Sequence, residues 1–183
     1  MLLPIASMLV VAASSGCDSA SDNRVVSAED IRVLRALVNP FCSSGWKQVI
    51  SDVPIAPLEN IAGRGDAANV EVGPGLDAGS PTAARWPRGD ICPSVLVVDD
   101  AVVREVLSLE TSIPPRWTFF RERFDDARKL TRVSLPVYSA DGRSAGLYVE
   151  GTCPYACGAA FYYELRKAGG EWKILSSRNA SKR

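Results

Sequence analysis

Residues 130–177 read LTRVSLPVYSADGRSAGLYVEGTCPYACGAAFYYELRKAGGEWKILSS, and their alternation decides the fold class. Apolar side chains recur at every second position: Val133, Leu135 and Val137, then Ala145, Leu147 and Val149, then Ala159, Phe161, Tyr163 and Leu165, and finally Trp172 and Ile174. A period of two is the signature of a strand with one buried face. The other parity carries Arg132, Ser134, Tyr148, Glu150, Tyr162, Glu164, Arg166 and Lys173, which suits a face turned to water. Asp141-Gly142 and Gly169-Gly170 supply the positive φ that tight hairpins need, and Cys153-Pro154-Tyr155-Ala156-Cys157 marks a third tip. The expectation is an α+β fold: a four-stranded antiparallel meander over about 131–178, covered on one face by two or three helices.

The helices are sought upstream. Ser27 and Asp30 stand in a capping-box relation before a helix from Ala28 to about Val38, with Ile31, Leu34, Leu37 and Val38 on one face and Asn39-Pro40 ending it. Trp46 to Ile50 reads as a short strand. Val95-Leu96-Val97-Val98 is a buried strand, after which Asp99 caps a helix to about Leu109. Asp99 and Asp100 fit a helix N-terminus, where negative charge is favoured, better than a cation site. Pro114-Pro115 opens a third helix to about Arg128, whose Trp117, Phe120 and Phe124 form an aromatic stripe for the core. Between these, 51–93 is rich in Gly, Pro, Ala and Asp and reads as irregular or insertion-like, with Ile55–Ile61 and Asn69–Val72 as candidate strands. It holds two Arg-Gly-Asp triplets, Arg64–Asp66 and Arg88–Asp90, which in so biased a stretch read as chance.

Composition excludes more than it assigns. The chain has 183 residues, 46% hydrophobic, with 21 basic and 21 acidic side chains and no histidine. A net charge of zero gives no field for nucleic acid, and the absence of His removes Ser-His and Cys-His nucleophiles and imidazole metal ligands. No cofactor is implied. Catalysis would rest on carboxylates, Tyr, Lys or Cys.

Leu2 to Ala13 is an apolar run too short to span a bilayer, and it passes through Ser14-Ser15-Gly16 to Cys17. An apolar stretch leading through small residues to a Cys resembles the lipobox of bacterial lipoprotein precursors, with Ser14 where Leu is usual and no Lys or Arg before Arg24. The resemblance implies a signal peptide over 1–16, a lipid on Cys17, a polar tether over 17–26, and one globular domain over 27–183 on the periplasmic side of the cell envelope. A cleaved secretory signal, giving a secreted protein, or a buried N-terminal strand are the other readings of the same run.

Export makes disulfides the natural state of the other cysteines. Cys153 and Cys157 flank a hairpin tip and can face each other across the ladder, which leaves Cys42 with Cys92 to close the irregular segment. Zinc and free thiols are the rival states. The phrase from Leu135 to Ile174 also resembles the C-terminal half of small exported bacterial proteins of unknown function, and similar phrases occur in cystatin-like α+β sheets; this implies fold and no activity. Three functions stay open: a binding or accessory module anchored to the membrane by lipid, with a possible protein partner in the envelope; an enzyme using Glu150, Glu164, Asp125 or Asp126; and an inhibitor or immunity-type partner presenting the Pro154-Tyr155-Ala156 tip or the 51–93 segment. The candidate contact aromatics are Tyr155, Tyr148 and Tyr162.

Overall fold

The computed structural model describes residues 24–55, 84–110, 117–154 and 158–180. In chain order they form α1 (Ala28–Cys42), β1 (Gln48–Ser51), β2 (Gly89–Cys92), β3 (Val95–Val98), α2 (Asp100–Ser108), α3 (Thr118–Arg123), β4 (Lys129–Val133), β5 (Val137–Tyr138), β6 (Ser144–Thr152), β7 (Gly158–Ala168) and β8 (Glu171–Asn179). The strands make one eight-stranded sheet in the order β2-β3-β1-β4-β6-β7-β8, with β5 paired to β6 beside that path. β1 is parallel to both β3 and β4, and the remaining pairs are antiparallel.

This overturns the expected four-stranded antiparallel meander with helices on one face. The sheet is mixed, and helices lie on both of its faces. β1 is the cause. All four of its residues are buried, and because successive strand side chains point to opposite faces, Ile50 packs into a core with α1 while Val49 packs into a second core with α2 and α3. A strand buried on both sides shows no alternation, and its partners are far away in sequence: Gln48 pairs with Val95 and with Lys129. The antiparallel strands β6, β7 and β8 are appended to this two-sided core.

The first core gathers Val33, Leu34, Leu37 and Val38 of α1 with Ile50, Trp86, Val95, Val97, Val133, Leu147, Leu165 and Trp172. The second holds Val103 and Val106 with the aromatic stripe: Trp117 and Phe120 have ring centroids 4.7 Å apart, and Phe120 and Phe124 4.8 Å. At the start of α1, the Asp30 N–H donates to Ser27 Oγ at 3.1 Å and the Ser27 N–H donates to Asp30 Oδ2 at 2.8 Å, closing the expected capping box. Asp30 is wholly buried, and Arg24 at 2.8 Å and the Tyr138 hydroxyl at 2.9 Å complete its bonding. Burial and the neighbouring Asp30 carboxylate push the Tyr138 phenol well above its ordinary range.

Several boundaries differ from expectation. α1 continues through Pro40 to Cys42, where a disulfide to Cys92 fastens its last turn to β2. β2 lies inside the stretch read as irregular; Gly89-Asp90-Ile91-Cys92 carries no apolar period and forms the sheet's edge. α3 stops at Arg123, short of Arg128, because Asp125 and Asp126 take left-handed φ of 50° and 59° and turn the chain into β4. In β8 the register slips between Leu165, opposite Ile174, and Glu164, opposite Ser176. The extra residue is Leu175, which is 55% exposed, and beyond it the inward alternation ends; Ile174, still on the Trp172 side beside α1, is 37% exposed. The hairpin glycines behave as expected, with φ of 61° at Gly169 and 84° at Gly170.

Cys153 is disulfide-bonded, while its expected partner Cys157 lies outside the described residues. So do Cys17, Tyr155, the first Arg-Gly-Asp triplet and most of both candidate strands of the 51–93 segment, of which only Ile55 is described, bridging to Ser134. The second triplet is no loop tip: Gly89 and Asp90 belong to β2, and Arg88 is paired with Asp52 and Asp99.

Two side chains tie these parts together. Asp52, wholly buried just beyond β1, accepts from the Asp100 N–H at 2.9 Å, from Arg85 at 3.3 Å and from Arg88 Nε at 2.9 Å. Burial alone would raise its carboxyl; the Asp100 N–H and Arg88 outweigh that and hold it below the ordinary range. Glu29 accepts from Lys167 at 2.6 Å and Trp172 Nε1 at 2.8 Å, fastening α1 to the β7–β8 hairpin. Those two bonds, Lys167 first, bring its carboxyl down to about 2.

Asp52→Ala leaves the buried Asp100 N–H without an acceptor and is expected to destabilise the fold by about 2–3 kcal/mol, whereas Asp52→Asn, which keeps an acceptor, loses less; urea midpoints compare them. Glu29 has its carboxyl lowered by folding, so its contribution is complete above the unfolded value near pH 4.5 and disappears as pH falls through about 2. The gap in unfolding midpoint between the native protein and Glu29→Gln should therefore be constant near neutrality and close in acid. A gap that widens on acidification would contradict the assignment.

Candidate functional site

Three surfaces hold the side chains on which chemistry could be built. The first is the carboxyl end of the parallel strands, where open α/β sheets commonly place ligands. Here Asp52, Asp99 and Asp100 meet Arg85, Arg88, Arg104 and Arg132. Ser51 Oγ donates to Asp100 Oδ1 at 2.7 Å, Arg104 pairs with Asp100 at 2.8 Å, and Arg88 pairs with Asp99 at 2.8 Å. Asp99 caps α2 as expected, accepting from the Ala101 N–H at 2.9 Å. Every carboxylate in this cluster is bonded to strand, helix or guanidinium, so it fastens structure and leaves no acceptor aimed outward. Among the described residues, no group of three or more His, Cys, Asp or Glu is placed to hold a metal ion, and no helix is long and apolar enough to cross a membrane.

The second surface is the face of β6, β7 and β8 that α2 and α3 leave uncovered. It brings together Tyr148, Tyr162, Glu150 and Glu164, all of one parity. Tyr148 is only 4% exposed; its hydroxyl donates to Glu150 at 3.1 Å, and burial followed by the Glu150 charge moves its phenol up to about 12. Tyr162 lies across Gly146, so closely that a Cβ there would come within 2.0 Å of its hydroxyl, and Arg178 sits 4.9 Å from its ring centre. Glu164 is opposite Gly146 while Glu150 is opposite Ala160. That four-residue offset along β6 sets the two positions about 13 Å apart along the strand, and each carboxylate has its own hydrogen-bond partner, Tyr148 for Glu150 and Ser176 for Glu164.

The third surface lies at the other end of β1. After α1 the chain turns at Gly45, φ 69°, and presents Trp46, which is 65% exposed. The turn is pinned by Ser44, whose hydroxyl donates to Phe41 O at 2.8 Å and accepts from the Trp46 N–H at 3.3 Å. Opposite stands the left-handed Asp125-Asp126 pair. Its conformation is held by the Asp126 N–H donating to Arg121 O at 2.8 Å, and the two walls are joined by the Arg128 N–H donating to Lys47 O at 3.0 Å.

Between them runs a groove of about 400 Å³ lined by Gly45, Trp46, Lys47, Asp125, Asp126 and Arg128. A second hollow of about 540 Å³ along the starts of β1 and β3 shares Lys47 and Asp125 in its lining. Asp126 is gripped by Arg121 at 2.7 Å and Arg128 at 3.1 Å, which together hold its carboxyl below the ordinary range. Arg128 in turn lies 5.5 Å from the centre of the Trp46 ring, and Lys47 is ion-paired with Asp125.

The candidate residues are thus distributed unevenly. Asp125 and Asp126 share the groove, Glu150 and Glu164 share one sheet face with Tyr148 and Tyr162, and the two sets are separate. By sequence Trp46 starts a strand, but β1 begins at Gln48. The signal for it was the Ser43-Ser44-Gly45 turn just before it, because an indole placed on a turn next to a helix end has nothing to pack under. Comparison with protein-family models, with curated proteins and with solved structures gives no match.

Left-handed backbone at a residue other than glycine stores strain. Asp125→Gly should relieve it and raise stability by about 0.5–1 kcal/mol despite loss of the exposed Lys47 pair, whereas Trp46→Ala should leave the unfolding midpoint within about 0.5 kcal/mol of native. Destabilisation by both would make the groove a structural element instead of a site.

Proposed function

We propose that the chain is an exported binding module of the bacterial cell envelope, carried on a lipid at Cys17 and presenting the Trp46 groove to its ligand. The observation that carries the binding reading is the exposure of Trp46 in a groove whose other walls are charged and fixed by backbone bonds. A large apolar ring left in water beside ordered polar groups is the composition of a recognition surface. The envelope reading rests on the lipobox-like run to Cys17 and on two features of the fold that agree with an oxidising compartment, the Cys42–Cys92 disulfide and the disulfide-bonded Cys153.

A carboxylate-based envelope enzyme has less support. Asp125 and Asp126 are engaged by Lys47, Arg121 and Arg128, and lowering of the Asp126 carboxyl is the opposite of what a general acid needs. The inhibitor or immunity reading loses Tyr148 as a contact residue through its burial, and Tyr162 is engaged by Arg178.

Intact mass of the protein taken from a bacterial membrane fraction, alkylated without reduction, tests the reading. A mass beginning at Cys17 with added acyl chains and no alkylated thiol is expected. An unlipidated chain retaining residues 1–16, with alkylated cysteines, would overturn it.

A further inference from the structure

We infer that the Trp46 groove is a carbohydrate subsite, taking a pyranose ring of a neutral oligosaccharide. This rests on the binding reading above and names its ligand class. The lining carries two cations, Lys47 and Arg128, and two anions, Asp125 and Asp126, so its charge sums to zero. An anionic ligand would meet the carboxylates and a cationic one the ammonium and guanidinium, each losing on one sign what it gains on the other. A hydroxyl has no such conflict, because it both donates and accepts. Sugar hydroxyls can donate to the outer lone pairs of Asp125 and Asp126 and accept from Lys47 and Arg128 without breaking the ion pairs already there.

The indole supplies the other half of sugar recognition. A pyranose has a C–H face that is apolar while its rim is polar, and it removes that face from water by lying flat on an aromatic ring. Arg128 covers one face of the Trp46 ring and is itself gripped by Asp126, so the ring is held in place before a ligand arrives, and with Trp46 65% exposed it is the opposite face that a sugar would take. Asp125 is 84% exposed at its side chain and Lys47 43%, leaving both open to a ligand beside the ring. The neighbouring hollow, which has Lys47 and Asp125 in common with the groove, is lined further on by Asp90, Pro93, Ser94 and Arg123.

Titration of the folded full chain with hexa-N-acetylchitohexaose and with maltohexaose, both uncharged, tests this by calorimetry. Saturable binding of at least one in the millimolar range or tighter is expected, weakened roughly tenfold or more by Trp46→Ala and unchanged by Phe119→Ala, an exposed aromatic outside the groove. Matching unfolding midpoints for the variants exclude a folding defect. No saturable binding of either sugar, or binding indifferent to Trp46→Ala, would overturn the inference. A Trp46-dependent complex with an envelope protein in place of sugar binding would also overturn it, while leaving the envelope module itself to stand on its mass spectrum.

Discussion

The fold depends on how one buried carboxylate is satisfied. Asp52 follows β1, the only strand among the described residues with parallel neighbours on both sides, and its two oxygens accept from three donors: the first N–H of α2, and Arg85 and Arg88 ahead of β2. A carboxylate placed there without these donors would carry a desolvation penalty large enough to unseat it. With them it fixes where α2 starts, where the chain enters β2, and how β3 lies on β1. Trp86 exploits the same geometry. Its N–H donates to Asp52 O at 2.8 Å and its indole to Val133 O at 3.2 Å, so the ring enters the α1-side core beside β4.

That arrangement explains which parts of the fold were legible. Local signals survived: Ser27 with Asp30, Asp99 before α2, the spacing of Trp117, Phe120 and Phe124, and the Gly169-Gly170 hairpin all read the same in sequence and structure. Each depends on residues within one turn or one ladder step of each other. β2 did not survive, and β1 reads only as a short strand over Trp46–Ile50 with no place in a sheet, for opposite reasons. β1 is buried on both faces and so has no period, and β2 is an edge strand with too few apolar side chains to have one. Parallel pairing adds nothing to the pattern along the chain, since its partners are joined by long connections and no turn. The meander was therefore read as the whole sheet when it is the appended half.

The site was less legible than the fold. Asp125 and Asp126 were picked out as carboxylates, but their importance lies in their backbone, which ends α3 early and forms one wall of the groove. Nothing in a run of charged residues after an aromatic stripe announces left-handed φ. Glu150, Tyr148 and Tyr162 were correctly grouped by parity, yet parity does not say that Tyr148 is sealed beneath its neighbours. The disulfide between Cys42 and Cys92 was read by elimination, and it has a local effect beyond linking ends: it holds the close of α1 beside β2, on the flank of the turn that displays Trp46.

α1 also acts as a strut of known length. Arg24 is bonded to Asp30 and to Pro136 O at its beginning, and Trp46 emerges four residues beyond its end. Fifteen residues at helical rise span about 22 Å. A chain held at a surface through whatever precedes Arg24 is held at one pole of this strut, and the groove opens at the other. The Trp46 groove therefore lies about one helix length from the point at which residues 1–23 join the described domain.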